Sequence, residues 1–154
     1  DILINCAAIT LPGETKKYSK YNWDKTLSVN LSGIFFLCKE VGSLMIKNKT
    51  QGSIINFTSI GAEQGFGNNP AYGAAKGGVK LLTKSLAVEW GIHRIRVNNI
   101  VPGYTNTPMN NKSWQNKKLK DQRSDNTILK RWAEPEEMVG PGGDTSDDNT
   151  RGKS

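Results

Sequence analysis

Length, composition and charge exclude several classes of protein. The chain has 154 residues, of which 36% are hydrophobic and 23% charged, and this balance excludes a wholly disordered or collagen-like chain. No run approaches 18 uncharged apolar residues, so we expect no membrane span. Lysine and arginine number 21 against 14 acidic residues, and the resulting net charge of +7 only hints at an anionic partner.

The first half of the chain alternates strand-like and helix-like patterns. Ile2–Asn5 is a short apolar run typical of a buried strand. From Trp23 to about Lys47 apolar residues recur at intervals of three and four, which predicts an amphipathic helix. A second apolar run, Ser53–Thr58, predicts a strand that ends at Ser59.

The second half continues the alternation. Gly61–Asn69 contains three glycines and is expected to be a loop. Asn69 followed by Pro70 is a favourable start for a helix that runs to Gly91, because asparagine caps helices and proline fits their first position. Ile95–Val101 predicts a third strand.

Strands separated by helices of this length indicate βαβ units. We therefore expect an α/β fold, part of a Rossmann-like, doubly wound parallel sheet with helices on both faces. Ligands bind at the carboxyl ends of the strands in such sheets. That edge would hold Asn5, Ser59 and the turn at Val101–Gly103.

One pair of side chains on the predicted second helix indicates acid–base chemistry. Tyr72 and Lys76 lie four residues apart, so their side chains share one helix face. A phenol with a pKa of about 10 is a weak acid–base group at neutral pH, but an adjacent ammonium stabilises the phenolate. Tyr-x-x-x-Lys alone is a weak motif, since any helix can carry it. Ser59, at the ligand-binding edge, could polarise a carbonyl oxygen that Tyr72 protonates.

The order and spacing of these motifs resemble the short-chain dehydrogenase/reductase family over residues 1 to about 141. The matching segments are, in chain order, Asn5-Cys6-Ala7-Ala8, Val29-Asn30-Leu31, Asn56-Phe57-Thr58-Ser59, Tyr72 with Lys76, Arg96-Val97-Asn98 and Pro102-Gly103-Tyr104-Thr105-Asn106-Thr107. The first segment departs at two of four positions from the family's Asn-Asn-Ala-Gly turn.

The resemblance implies four catalytic residues. Tyr72 would be the general acid or base on the substrate oxygen, and Lys76 would lower its pKa and bind the nicotinamide ribose. Ser59 would polarise the carbonyl, and Asn30 would connect Lys76 to solvent through a water molecule. No metal is expected.

The resemblance also implies NAD or NADP as the cofactor, and it leaves the choice between them open. Residues at the strand ends, on the helix and in the last turn would hold the cofactor: Asn5, Ala7, Tyr72, Lys76, Pro102, Gly103, Thr105 and Thr107. The family's glycine-rich phosphate loop belongs to the first βα turn, which would precede Asp1. We therefore expect residues 1–141 to be an incomplete NAD(P)-binding domain and residues 142–154 to be a polar, disordered tail.

The expected reaction is hydride transfer between NAD(P)(H) and a secondary alcohol or ketone. Segments after the third strand are similar to members that act on keto-deoxy-gluconate, gluconate and other sugars, which indicates a sugar, polyol or sugar acid as substrate. A 3-oxoacyl carrier-protein reductase is the alternative, as is a catalytically inactive fragment of either. The resemblance further implies a homo-oligomer, a dimer or tetramer, for the full-length protein.

Charge and cysteine usage argue against nucleic-acid binding and secretion. Lys112–Arg131 carries seven positive and two negative side chains, and we interpret it as a solvated, partly helical face. Lysine outnumbers arginine 16 to 5 and aromatic residues are not interleaved, both of which disfavour base recognition. Cys6 and Cys38 match no metal-ligand spacing and are expected to be free, buried thiols. Together with the lack of a recognisable signal peptide, they favour the cytoplasm.

Overall fold

Three parallel strands form the centre of the fold in the computed structural model, which describes residues 1–140. They are β1 (Ile2–Asn5), β2 (Gly52–Phe57) and β3 (Ile95–Ile100), and they lie side by side in that order. The three predicted strands and their parallel pairing are confirmed, within two residues at each end. The expected polar tail, residues 142–154, lies outside the described residues.

The first predicted helix begins earlier than expected and contains a wider turn. α1 (Lys20–Leu27) follows Ser19, whose hydroxyl accepts a backbone hydrogen bond at 3.1 Å and so caps the helix. A π turn at Ser28–Ser32 joins α1 to α2 (Gly33–Lys47). The predicted start at Trp23 is therefore wrong, since the serine cap extends the helix over polar residues that an apolar pattern does not mark.

The longest helix, α3 (Pro70–Trp90), carries Tyr72 and Lys76 in its first two turns, and proline occupies its first position as predicted. The side chain of Asn69 makes no capping hydrogen bond. Its Nδ2 donates instead to Thr10 Oγ1 at 3.0 Å. Asn69 therefore occupies the predicted N-cap position, but it does not cap the helix through its side chain, whose amide is oriented towards the segment after β1.

The segment after β3 is built from short helices. α4 (Asn111–Gln115) and α5 (Lys117–Asp125) are mostly exposed, in agreement with the expectation of a partly helical face. Thr105 and Ala133 form a parallel bridge that brings the two ends of this segment together.

The continuous helical stretch Lys20–Lys47 forms one layer of the fold. An 18-residue window in it has a mean hydropathy of 1.4, so by length and composition alone the stretch could cross a membrane. That is weak evidence, because core helices of soluble proteins pass the same test. Here Ile34, Cys38 and Met45 on its inner face join the main apolar cluster, together with Ile54 of β2.

Candidate active site

The carboxyl ends of the three strands meet at one edge of the sheet. Asn5 is in register with Asn56, and Asn56 is in register with Asn99, so three asparagines form one row across the sheet. The chain leaves the sheet just after this row in all three strands. The expected common edge for Asn5, Ser59 and the turn at Val101–Gly103 is therefore confirmed.

A hydrogen-bond network ties this row to α3. Asn5 Nδ2 donates to Asn56 Oδ1 at 2.8 Å, and Asn56 Nδ2 donates to Thr83 Oγ1 at 2.9 Å. Thr83 Oγ1 in turn donates to Asn99 Oδ1 at 2.8 Å. Thr83 lies about two helical turns beyond Lys76, so the network holds the helix at a fixed position over the strand ends. Sequence reasoning missed Thr83 and Asn99, although aligning the three predicted strands by their ends would have shown the row.

The hydroxyl groups of Ser59 and Tyr72 are brought together at this edge. Ser59 follows β2 in an extended conformation and its Oγ accepts a hydrogen bond from the backbone N–H of Gly61 at 3.0 Å. Its hydroxyl also lies close enough to the Tyr72 phenol to lower the pKa of that phenol. A Cβ atom on Gly73 would lie 3.6 Å from the carbonyl oxygen of Gly61. The first turn of α3 therefore packs directly against the turn that carries the serine.

Burial controls the acidity of Tyr72. Removal from water raises the pKa of its phenol above the usual 10.0, and the nearby Ser59 hydroxyl partly opposes this. The structure does not show the expected lowering by Lys76. The Lys76 Nζ atom lies 5.9 Å from the centre of the tyrosine ring and donates to the backbone oxygen of Phe57 at 2.7 Å. Tyr72 is thus protonated at neutral pH, in the form that can donate a proton.

Lys76 is a buried cation, with only 2% of its surface exposed. Burial lowers its pKa from 10.5 to about 8, and the neighbouring Cys6 partly opposes this. Cys6 and Cys38 are both free, but Cys6 is exposed, so the expectation of buried thiols is confirmed for Cys38 alone. A lysine with this pKa is still mostly charged at neutral pH. One of its three N–H donors is used by the Phe57 carbonyl.

Asn30 lies fully buried in the π turn between α1 and α2. Its side-chain amide pairs with the backbone of Ile9 in both directions: Oδ1 accepts from the N–H and Nδ2 donates to the carbonyl, each at 2.8 Å. The side chain therefore anchors the segment that follows β1. A water link from Asn30 to Lys76 stays a prediction.

The remaining candidate residues lie after β1 and β3. Ala7 and Gly103 are exposed, Pro102 and Thr107 are half-buried, and a Cβ atom on Gly103 would meet no other atom within 4 Å. Thr105 is only 6% exposed, and its Oγ1 donates to the Gly103 carbonyl at 3.4 Å. The accessible backbone groups at these positions, beside a buried cation and two hydroxyls, suit the nicotinamide and ribose end of NAD(P).

A cavity of about 540 Å³ opens between the loop after Ser59 and the segment after β3; Gly103 borders it, whereas Ser59, Tyr72 and Lys76 are not among its lining residues. It is lined by Ile60, Gln64, Gly65, Phe66, Gly103, Tyr104, Asn126 and Thr127. Its volume falls within the range of roughly 300–1,000 Å³ that is usual for small-molecule sites. Part of the wall comes from the segment after β3, and the other part comes from the loop after Ser59, which sequence reasoning did not assign to a pocket.

Comparison with known proteins decides the family. A family model described as enoyl-(acyl carrier protein) reductase matches residues 1–140. The chain belongs to the short-chain dehydrogenase/reductase family. The resemblance drawn from the motifs is thereby confirmed, and so is the Rossmann-type fold class.

Several members of the short-chain dehydrogenase/reductase family are similar to this chain. Gluconate 5-dehydrogenase of Gluconobacter oxydans (strain 621H) is 35% identical over 140 residues, which is 91% of this chain and 54% of that protein. A solved putative 2-deoxy-D-gluconate 3-dehydrogenase from Agrobacterium tumefaciens, with bound NADP, has a TM-score of 0.93 at 31% identity, covering 96% of this chain and 60% of that one. A 4-hydroxyisoleucine dehydrogenase complexed with NADH has a TM-score of 0.95 at 32% identity, covering 98% of this chain and 62% of that one. The chain thus spans little more than half the length of these relatives.

Proposed function

We propose that the full-length protein carrying this chain is an NAD(P)-dependent oxidoreductase of secondary alcohols and ketones. The pairing of Ser59 with Tyr72 at the sheet edge, next to the buried Lys76 and an open cavity, is the observation that carries the proposal. When bound, NAD(P)H supplies the hydride for reduction, and NAD(P)⁺ accepts it in the reverse direction.

In the direction of reduction, the substrate oxygen lies between the two hydroxyls. Ser59 donates a hydrogen bond to this oxygen and polarises the carbonyl. As the carbonyl carbon receives the hydride, the electron pair of the C=O π bond moves to oxygen, which takes the proton of Tyr72. Ser59 then stabilises the phenolate, and the charge of Lys76, whose Nζ lies 5.9 Å from the centre of the tyrosine ring, adds a longer-range attraction until solvent returns the proton. Oxidation of the alcohol runs through the same steps in reverse.

The supporting residues have proposed roles at the same edge. Asn30 would connect Lys76 to solvent through water, in addition to holding the segment after β1. The nicotinamide end of the cofactor would contact the remaining candidates at the strand ends and turns: Asn5, Ala7, Pro102, Gly103, Thr105 and Thr107. The phosphates would be held by a glycine-rich loop outside this chain, so the chain alone would bind the cofactor weakly.

The proposed substrate is a sugar, polyol or sugar acid. The names of the similar proteins support it, since two of them are gluconate or deoxygluconate dehydrogenases. The matching family model is described as an enoyl-(acyl carrier protein) reductase, which reduces a carbon–carbon double bond, so its description shares the acyl carrier with the 3-oxoacyl carrier-protein reductase alternative but not the reaction. An inactive fragment is the remaining alternative.

We also propose that the full-length protein is a cytoplasmic dimer or tetramer. Apolar side chains remain exposed on the outer faces of α2 and α3, among them Phe36 at 57%, Leu81 at 66% and Val88 at 84%. Large exposed apolar surfaces are typical of protein–protein contacts. Light scattering of the full-length protein should give a mass of two or four subunits, and a monomer at micromolar concentration would contradict this.

Cofactor-linked turnover tests the proposed function. The full-length protein, incubated with NAD⁺ or NADP⁺ and gluconate, sorbitol or threitol, should form the reduced cofactor, which is followed by its absorbance. A 3-oxoacyl thioester with NADPH tests the alternative. Turnover of the thioester alone would replace the sugar assignment, and no turnover of any substrate would contradict the proposed function. The same assay with the 154-residue chain tests the inactive-fragment alternative.

A further inference from the structure

Arg123, near the end of α5, packs against two aromatic rings. Its guanidinium carbon lies 5.2 Å from the ring centre of Tyr104 and 5.8 Å from that of Trp132. Trp132 is itself only 3% exposed, and its Nε1 donates to the backbone oxygen of Lys120 at 3.2 Å. The rings are therefore fixed, and they hold the guanidinium in place with little freedom left to lose on binding.

The guanidinium of Arg123 is not neutralised by an acidic side chain within residues 1–140. The nearby Arg131 is a contrast, since its two terminal nitrogens donate to the two carboxylate oxygens of Glu137 at 2.7 and 2.6 Å. That pairing lowers the pKa of Glu137 to about 2. Arg123 thus keeps its planar set of N–H donors for a ligand, whereas Arg131 serves the local fold.

The rings around Arg123 lead to the cavity beside the catalytic hydroxyls. Tyr104 lies 5.4 Å from Trp132 on one side and 6.3 Å from Phe66 on the other, measured between ring centres. Tyr104 and Phe66 both line the cavity, and so does Ile60, which directly follows Ser59. Arg123 does not itself line the cavity, but it packs against Tyr104, which does, so its guanidinium lies one aromatic ring away from the cavity.

We propose that Arg123 determines specificity for substrates that carry a carboxylate. The carboxylate of a sugar acid binds the N–H edge of the guanidinium, while the hydroxyl to be oxidised lies at Ser59 and Tyr72. A planar guanidinium that is already immobilised can donate two parallel hydrogen bonds to the two oxygens of a carboxylate. This inference rests on the proposed function, because it names the substrate class of the same site.

Kinetics of the full-length protein with gluconate and its uncharged counterpart sorbitol provide the first test. Arg123→Met should raise the KM for gluconate about ten- to hundredfold, the usual effect of losing a hydrogen bond to a charged group, with kcat changed less than about threefold. The KM of Arg123→Met for sorbitol should stay within about threefold of that of the unmodified protein. Lys118→Met is the matched control, since it removes one exposed charge from the same helix, and it should leave both substrates unchanged. An unchanged KM for gluconate, or an equal loss for both substrates, would overturn the proposal.

Calorimetric titration with gluconate separates this proposal from the proposed function. The full-length protein with saturating NADH should bind gluconate, and Arg123→Met should weaken that binding by a similar factor while Lys118→Met does not. If the full-length protein turns over neither sugar, the proposed function fails. The anion site would still be supported if Arg123→Met lost gluconate binding and Lys118→Met kept it. No gluconate binding by the unmodified protein, or equal binding by Arg123→Met, would overturn it.

Discussion

The Nζ atom of Lys76 donates a hydrogen bond of 2.7 Å to the backbone oxygen of Phe57, which joins the start of α3 to the end of β2. Ser59 lies two residues beyond that carbonyl, and Tyr72 lies one helical turn before the lysine. Together with the hydrogen bonds of Thr83, this contact therefore sets the position of the helix that carries Tyr72 relative to the strand that leads to Ser59.

Lys76→Met should separate activity from stability. Methionine has a similar length without the charge, so phenolate stabilisation is lost and kcat should fall roughly 10²-fold or more. Replacing a buried charge by an apolar side chain relieves its desolvation, which offsets the lost hydrogen bond, so near neutral pH the free energy of unfolding should change by less than about 1 kcal/mol. Steady-state kinetics and urea unfolding of the full-length protein measure the two effects. Loss of activity in proportion to loss of folded protein would contradict this role.

The lowered pKa of Lys76 predicts a pH-dependent stability. In the unfolded chain this lysine titrates at about 10.4, whereas in the folded protein it titrates at about 8. Between these values the unfolded state binds more protons, so stability rises with pH by up to about 1.4 kcal/mol per pH unit. Below pH 8 both states are protonated and this contribution is constant.

Urea unfolding at about pH 7.5 and about pH 9.5 checks this dependence. The difference in unfolding free energy between the unmodified protein and Lys76→Met should grow in favour of the unmodified protein at the higher pH. Equal differences at the two pH values would show that Lys76 keeps an ordinary pKa.

Thr83 should contribute to stability through its two amide partners. Thr83→Val keeps the shape but leaves Asn56 Nδ2 and Asn99 Oδ1 without this partner, and each such group costs about 1–3 kcal/mol when buried. The free energy of unfolding should therefore fall by at least about 1 kcal/mol. Ser85→Ala is the control on the same helix, because Ser85 is exposed and bonds only to the backbone of Leu81. If both substitutions changed the free energy of unfolding equally, the row of asparagines at the strand ends would have no special structural role.

Gly42 allows α2 and the end of α3 to approach closely. A Cβ atom at this position would lie 2.6 Å from the indole ring of Trp90, so Gly42→Ala should destabilise the protein by about 1–3 kcal/mol. Gly91 has right-handed helical angles and open space around it, so Gly91→Ala should be neutral or slightly stabilising. Thermal unfolding of both variants measures the difference. If Gly42→Ala unfolds at the same temperature as the unmodified protein, the Trp90 side chain moves aside at no cost in stability, which would contradict this prediction.

Much of the sheet, and the meeting of the candidate residues Ser59, Tyr72 and Lys76 at its edge, could be predicted from the sequence, whereas the catalytic roles of these residues stay predictions. Apolar runs bounded by turn residues identified the strands, and parallel connectivity placed their carboxyl ends together. Ser59, Tyr72 and Lys76 were found through spacing within a known family. The roles of individual cofactor contacts stay predictions, because they depend on groups that bind at this edge.

Features that depend on packing could not be predicted. The apolar pattern gave no sign of the cap at Ser19, and no local signal distinguishes a π turn from an α-helix. The amide of Asn69 bonds to a residue 59 positions away rather than to its own helix. The contacts of Arg123 with two rings arise only when α5 folds back onto the turn after β3, which periodicity does not report.

Tyr72→Phe in the full-length protein tests the central claim most directly. Phenylalanine retains the ring but cannot transfer a proton, so kcat for the sugar substrate should fall roughly 10²–10⁴-fold or more, while fluorescence titration shows NADH binding within about threefold of the unmodified protein. A kcat equal to that of the unmodified protein would show that another group moves the proton and would contradict the account.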